Sequence, residues 1–198
     1  MLTIITGKSA SGKDSIRNAL LKDGYINICS NTTRPMRKTE QDGLEYNFLT
    51  EEEWKKQEYI ESYIYSTKDD FGNPIDYYYG TPITKLDDNK EYICIKDKDG
   101  ALALRNYYGT NDTLIVYVDV PDNIRKDRAS SRPNFKEDEW EIRTARDNKQ
   151  FEDTSYADIT LDGTKNFIEE LNCLKKNIKS FEKIMEMYRD NEECIEKD

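Results

Sequence analysis

At 198 residues, with 36% apolar and 35% charged side chains, the chain has the size of one domain with a real core and a highly charged surface. A net charge of −10 argues against general nucleic-acid binding, which needs a basic stripe. It leaves room for a local anion site, because charges are screened over about 8 Å at physiological salt. The four cysteines form no close pair and the chain has no histidine, so imidazole acid–base and Ser-His chemistry are excluded and a zinc site is not expected.

The opening residues MLTIITGKS have no basic start and no long apolar stretch, so they read as a core strand rather than a signal peptide. No run reaches membrane-spanning length. The expectation is a cytoplasmic chain with reduced thiols, with no membrane or nucleic-acid partner, acting as a monomer or homodimer.

The first strand-like run, Leu2–Thr6, leads into GKSASGK at 7 to 13 and then into the helical stretch Asp14–Leu21. This is the G-x-x-x-x-G-K phosphate loop. Gly7 and Gly12 let the backbone curl so that N–H groups point inward, and the helix N-terminus adds partial positive charge. Lys13 supplies a full charge near the β- and γ-phosphates. The candidate ATP phosphate set is Gly7, Ser9, Ser11, Gly12, Lys13, Asp14 and Ser15. The residue after the lysine is ordinarily Ser or Thr, whose hydroxyl touches Mg²⁺; here it is Asp14, with Ser15 next. Asp14 or Ser15 is the candidate metal ligand, although Asp14 also suits the first turn of any helix.

Further strand-like runs fall at Tyr25–Cys29, Ile60–Tyr65, Tyr92–Ile95, Leu114–Val120 and Ala157–Leu161. Helical periodicity fills Glu51–Gln57, Gly100–Tyr107, Pro121–Ser130 and Glu137–Glu152. Alternation of this kind predicts an α/β fold with a central parallel sheet covered on both faces, and ligands at the C-terminal ends of the strands. Residues 30–81 break the rhythm and read as a small β-rich insertion, in which Lys68–Asp76 forms a polar loop. Ser131–Asn134, with Pro133, breaks two charged helices and reads as a mobile lid tip. The tail from Asn166 reads as one or two helices, with DNEECIEKD at its end frayed or disordered.

Residues 30 to 48 read SNTTRPMRKTEQDGLEYNF. Guanidinium forks at Arg34 and Arg37 suit a tetrahedral phosphate, although two loop arginines alone are more often solvated surface. This segment resembles the nucleoside-monophosphate-binding segment of guanylate kinases, S-x-T-T-R-x-x-R-x-x-E-x-x-G-x-(D/E)-Y-x-F, at Ser30, Thr32, Thr33, Arg34, Arg37, Glu40, Gly43, Glu45, Tyr46 and Phe48. The likeness continues through YIES at 59 to 62 and YYGT at 78 to 81, and covers roughly residues 2 to 162.

The resemblance implies a P-loop kinase with three layers and three parts. The core would be 1–29, 82–127 and 153–180, the GMP-binding part 30–81, the helical lid 128–152, and 181–198 a charged tail. It implies Mg²⁺-assisted transfer of a phosphoryl group from ATP to GMP or dGMP. Arg34, Arg37, Tyr46 and Tyr79 would hold the acceptor phosphate; Ser30, Glu61, Thr81 and Asp97 would read guanine; Glu40 belongs to the same segment. Lys13, Arg132, Arg143 and Arg128 would act on the transferred group, with Arg146 a surface ion-pair residue. Carboxylates accept from guanine N1–H and N2–H while hydroxyls meet O6, a polarity that adenine reverses.

The sequence departs from the family pattern in four places. ICIKDKDG stands where the family resembles I-L-D-I-D-x-Q-G, which puts Ile95 on an acidic position. Asp14 replaces Ser or Thr, the loop before Tyr79-Gly80 is longer than usual, and ADITLDGT lacks the asparagine common near adenine. GKDS also resembles ribose 1,5-bisphosphate phosphokinases, and guanylate-kinase-like domains also serve as protein-binding modules. The arrangement of Ser30, Arg37 and Glu61 favours a nucleotide over a sugar, and the intact Gly7, Gly12 and Lys13 favour an enzyme over a module.

Overall fold

The computed structural model describes residues 1–69, 71–133 and 135–195, with side chains through Arg189. Five strands form one parallel sheet: β1 (Leu2–Thr6), β2 (Ile26–Asn27), β7 (Tyr92–Ile95), β8 (Thr113–Asp119) and β9 (Ile159–Asp162), in the order β2-β7-β1-β8-β9. β1 is buried at every residue and β8 at all but its last, the continuous pattern of strands covered on both faces. On one face Ile5, Ile93, Val116 and Val118 pack with Ile16 and Leu20 of α1 (Lys13–Lys22) and Leu174 and Ile178 of α6 (Phe167–Ile195). On the other, Leu2, Ile4, Cys94 and Ile115 pack with Ala101 and Leu104 of α3 (Lys98–Tyr108). Each such aliphatic side chain contributes about 1.5–3 kcal/mol through removal from water.

The segment between β2 and β7 builds its own sheet from β3 (Ser30–Thr32), β4 (Tyr46–Phe48), β5 (Tyr59–Lys68) and β6 (Pro74–Pro82), in the order β4-β3-β6-β5. Between β4 and β5 lies α2 (Glu51–Lys55), started by a Thr50–Glu53 capping box. The long β5–β6 hairpin corrects the expected loop Lys68–Asp76. Lys68 pairs with Pro74 and Ser66 with Asp76, so only the turn after Lys68 is left, with Asp69 accepting from the Phe71 and Asn73 N–H groups. Both ends of the expected loop therefore extend the paired strands. Gly80 is needed there, since a Cβ would lie 2.5 Å from the Tyr59 ring.

After β8 come α4 (Asp122–Ser130) and α5 (Glu137–Gln150). The chain breaks between them where expected, at Ser131–Pro133; Asn134 of the expected lid tip lies outside the described residues. Tyr25–Cys29 yields a two-residue strand, although Ile28 N–H still donates to Ile93 O at 2.8 Å. The tail is a single helix whose backbone is helical through Ile195, with residues 196–198 of the expected frayed end outside the described residues. Cys29, Cys94 and Cys173 are unpaired. No described helix is long and apolar enough to cross a membrane.

Candidate active site

The phosphate loop leaves the C-terminal end of β1 and closes on the N-terminus of α1. Gly7 has φ 141° and Gly12 φ 102°, a region open to glycine; at Gly7 a Cβ would also lie 2.8 Å from Val118 O. Ala10 shares the positive-φ conformation at 61°. Lys13 folds back over the loop, donating to Gly7 O at 2.6 Å and Lys8 O at 2.8 Å. Burial lowers its pKa to about 8, partly opposed by the nearby Asp14 and Asp147 carboxylates. Asp14 and Ser15 are exposed at the loop exit, and Asp14 pairs with Arg17 at 3.5 Å.

Two residues that the sequence did not single out fasten the loop to the helices behind it. Arg125 of α4 is fully buried, donates to Ser9 O at 2.9 Å and Asp122 at 2.7 Å, and sits 5.4 Å from the Trp140 ring centre. Asp147 of α5 accepts from the Ser9 N–H at 2.6 Å and lies 3.8 Å from Arg125. Lys8 extends the link, donating to Asn148 at 2.7 Å. The only sequence signal was the three-residue Asp122–Arg125 spacing, because the rest depends on how α4 and α5 dock.

Arg132 and Arg143 line one cavity of about 390 Å³ with Ser9 and Ala10. Arg143 is otherwise engaged only loosely, 3.7 Å from Glu139. Arg128 differs: its guanidinium donates to Gly163 O at 2.7 Å and Ser11 O at 3.3 Å, so it is committed to backbone. Arg128 and Arg132 also border a second cavity of about 410 Å³, walled by Gly12, Gly163, Lys165 and Leu171. Arg146 is mostly exposed, 4.0 Å from Asp147.

Across the cleft, β3, β4 and β6 bring Arg34, Arg37, Glu40, Tyr46 and Tyr79 together. Arg34 donates to Glu40 at 2.8 Å, to the Tyr79 hydroxyl at 3.2 Å and to Pro35 O at 2.6 Å, with its charge 5.7 Å from the Tyr46 ring centre. Burial alone would lower the Arg34 pKa, but Glu40 and Tyr79 raise it on balance; burial works against Glu40 too, yet Arg34 and the Arg37 N–H hold that carboxyl low. Glu40 is an anion whose oxygens accept from Arg34 and from the Arg37 backbone, each at 2.8 Å. Arg37 keeps an exposed guanidinium 3.8 Å from Glu40. Burial raises the Tyr46 and Tyr63 pKa values, so both hydroxyls stay neutral donors; Tyr63 stacks on Tyr79 at 5.1 Å.

Deeper in, Ser30, Glu61 and Thr81 form a polar cluster. Thr81 donates to Glu61, and the Ser30 and Thr81 hydroxyl oxygens are 3.5 Å apart. Lys96, which the sequence reading passed over, sends its ammonium into this cluster. Asp97 caps α3 by accepting from Gly100 N–H at 2.9 Å. Lys13, Tyr46, Tyr63, Lys96, Asp97 and Asp147 all border one open cleft of about 800 Å³, which runs from the phosphate loop to Lys96.

The family profile described as Guanylate kinase matches residues 1–180. The guanylate kinase of Onion yellows phytoplasma (strain OY-M) is 32% identical over 158 residues, 76% of this chain and 72% of that protein. The guanylate kinase of Clostridium perfringens (strain 13) is 40% identical over 128 residues, 61% of this chain and 56% of that protein. A crystal structure of guanylate kinase from Anaplasma phagocytophilum matches with a TM-score of 0.64 at 18% identity, over 91% of this chain and 85% of that one, a likeness of fold.

Proposed function

Because the chain belongs to the guanylate kinase family, we propose that it transfers the γ-phosphoryl group of ATP to GMP, and to dGMP, in the cytoplasm. The observation that carries this reading is the single cleft bordered by Lys13 of the phosphate loop, by Tyr46 of the arginine–tyrosine group and by Asp97 beside the polar cluster. Phosphoryl transfer needs donor and acceptor held in line with charge neutralised between them, and it needs no histidine.

In this reading the loop N–H groups and Lys13 hold the β- and γ-phosphates. Lys13 exchanges its bonds to the Gly7 and Lys8 carbonyls for phosphate oxygens. Arg132 and Arg143, at the loop mouth, meet the transferred group, while Arg128 keeps Ser11 and Gly163 in place. The cavity beside Gly163 and Lys165 takes the adenine. Residues 30–81 act as the acceptor-binding part, where Arg34, Arg37, Tyr46 and Tyr79 grip the GMP phosphate and Ser30, Glu61, Thr81 and Asp97 face guanine. Residues 128–152 act as the lid, whose closure excludes water and suppresses hydrolysis.

Mg²⁺, when bound, neutralises charge on the β- and γ-phosphates. The described residues contain no group of three carboxylate, cysteine or histidine side chains that could hold a metal. Asp14 and Ser15, exposed at the loop exit, are the two oxygen-bearing side chains that would complete the shell of an ion taking most of its ligands from phosphate and water.

The test is a coupled ADP-release assay with ATP and Mg²⁺ against GMP, dGMP, AMP, CMP, UMP and ribose 1,5-bisphosphate. Turnover with GMP and dGMP alone supports the reading. Turnover confined to the sugar bisphosphate, or none with a folded protein, overturns it.

A further inference from the structure

Lys96 is the least expected charge in the molecule. The alignment that sets Asp97 on a family aspartate sets Lys96 on the apolar residue before it. Strand alternation explains where its side chain goes: Tyr92 and Cys94 of β7 point to the α3 face, and Lys96 follows them. The stem packs against Gly100, where an added Cβ would lie 3.4 Å from Lys96 Cδ. The side chain is 5% exposed and its ammonium has three protein partners: Ser30 Oγ, Thr81 Oγ1 and, at 3.4 Å, Glu61 Oε1.

An ammonium only donates, so it fixes the polarity of this network. The Ser30 and Thr81 oxygens must accept from Lys96. The Thr81 proton goes to Glu61, which leaves the Ser30 proton to Thr81 Oγ1, 3.5 Å away, or to a ligand. The cluster therefore presents a fixed donor from Lys96 beside a fixed acceptor from Glu61. The Lys96–Glu61 ion pair, at 3.4 Å, is the longest of the three contacts. The edge that fits between a carboxylate and an ammonium is a ring N–H next to a ring carbonyl.

Building on the GMP reading above, we propose that Lys96 is a specificity-determining residue of this chain, donating to the 6-oxo group of the acceptor base while Glu61 accepts from the adjacent N1–H. A 6-amino purine places an N–H₂ donor against the ammonium and a bare N1 against the carboxylate, so both contacts are unfavourable. Neutral hydroxyls alone would discriminate less, because a hydroxyl can turn to accept as well as donate.

The experiment is calorimetric binding of GMP, IMP and AMP to the wild type, Lys96→Met and Lys96→Gln, with thermal melting of each. A hydrogen bond from a charged donor predicts a loss of about ten- to a hundredfold in GMP and IMP affinity in Lys96→Met. AMP affinity should hold or rise, so the GMP-to-AMP ratio collapses. Lys96→Gln, which retains a neutral donor and covers the case of a Met variant that does not fold, should restore part of that ratio. An equal loss for all three nucleotides would show that Lys96 only supports the fold, and an unchanged GMP-to-AMP ratio in either folded variant would overturn the proposal. A wild type that binds GMP selectively without phosphorylating it contradicts the kinase reading alone. A wild type with no preference for GMP and IMP over AMP contradicts the role of Lys96.

Discussion

The Asp147 carboxylate accepts a 2.6 Å hydrogen bond from the Ser9 N–H, inside the loop proposed to hold phosphate. An acidic side chain of α5 thus sits where that proposal would bring negative charge, balanced by the buried Arg125 at 3.8 Å.

Replacing Asp147 by Asn keeps an acceptor for Ser9 and removes the charge. The account expects the ATP affinity to rise several-fold while stability falls by about 1–3 kcal/mol, since Arg125 loses part of its compensation. Nucleotide titration and denaturant unfolding check both, and an ATP affinity that does not change would place the carboxylate clear of the phosphates.

Lys13 carries a pH dependence of defined sign. Its folded pKa of about 8 lies below the ordinary 10.5, so between those values the folded protein binds fewer protons than the unfolded chain. Its contribution to stability therefore rises with pH across that window, and below it the buried ammonium is a cost. The ATP site has the opposite trend, because the ammonium is lost from the free enzyme above about pH 8. Calorimetry from pH 7 to 9.5 should show ATP affinity falling above pH 8 in the wild type and a flat profile in Lys13→Met. Turnover in Lys13→Ala should fall about 10²–10³-fold with the fold intact.

Arg34 and Arg37 should separate in their effects. Arg37 is exposed and loosely paired, so Arg37→Ala should change stability by less than about 0.5 kcal/mol. It should raise the GMP KM at least about tenfold while sparing that of ATP. Arg34→Ala strips Glu40 and Tyr79 of their partner and should also lower stability, by about 1–3 kcal/mol. Equal KM effects on GMP and ATP would contradict the division of the cleft.

The placement of much of this candidate site was readable in the sequence because it depends on local geometry. Gly7, Gly12 and Lys13 sit on one turn between a buried strand and a helix, and Arg34, Glu40 and Tyr46 lie on one short segment. Arg125 and Asp147 were not readable: they are 22 positions apart and meet only because α4 and α5 fold back on the loop. Lys96 was missed because a lysine just past a strand reads as surface, although its alternation with Cys94 and Tyr92 carried the signal. The β5–β6 hairpin was underestimated for a related reason, since Asp69, Gly72 and Asn73 mark its tight turn while Lys68 pairs with Pro74 and Ser66 with Asp76.

Gly7→Ala tests the loop conformation itself. With φ at 141° and the new Cβ 2.8 Å from Val118 O, the backbone must shift, at about 1–3 kcal/mol. Loss of ATP binding in a protein that still melts cooperatively is expected, and wild-type ATP affinity would show that the loop tolerates another path.

The most direct measurement is chromatographic quantification of both products from ATP, Mg²⁺ and GMP. The account predicts ADP and GDP formed in equal amounts, with almost no ADP when GMP is omitted. ADP released without matching GDP would identify a hydrolase and contradict phosphoryl transfer to the guanine nucleotide.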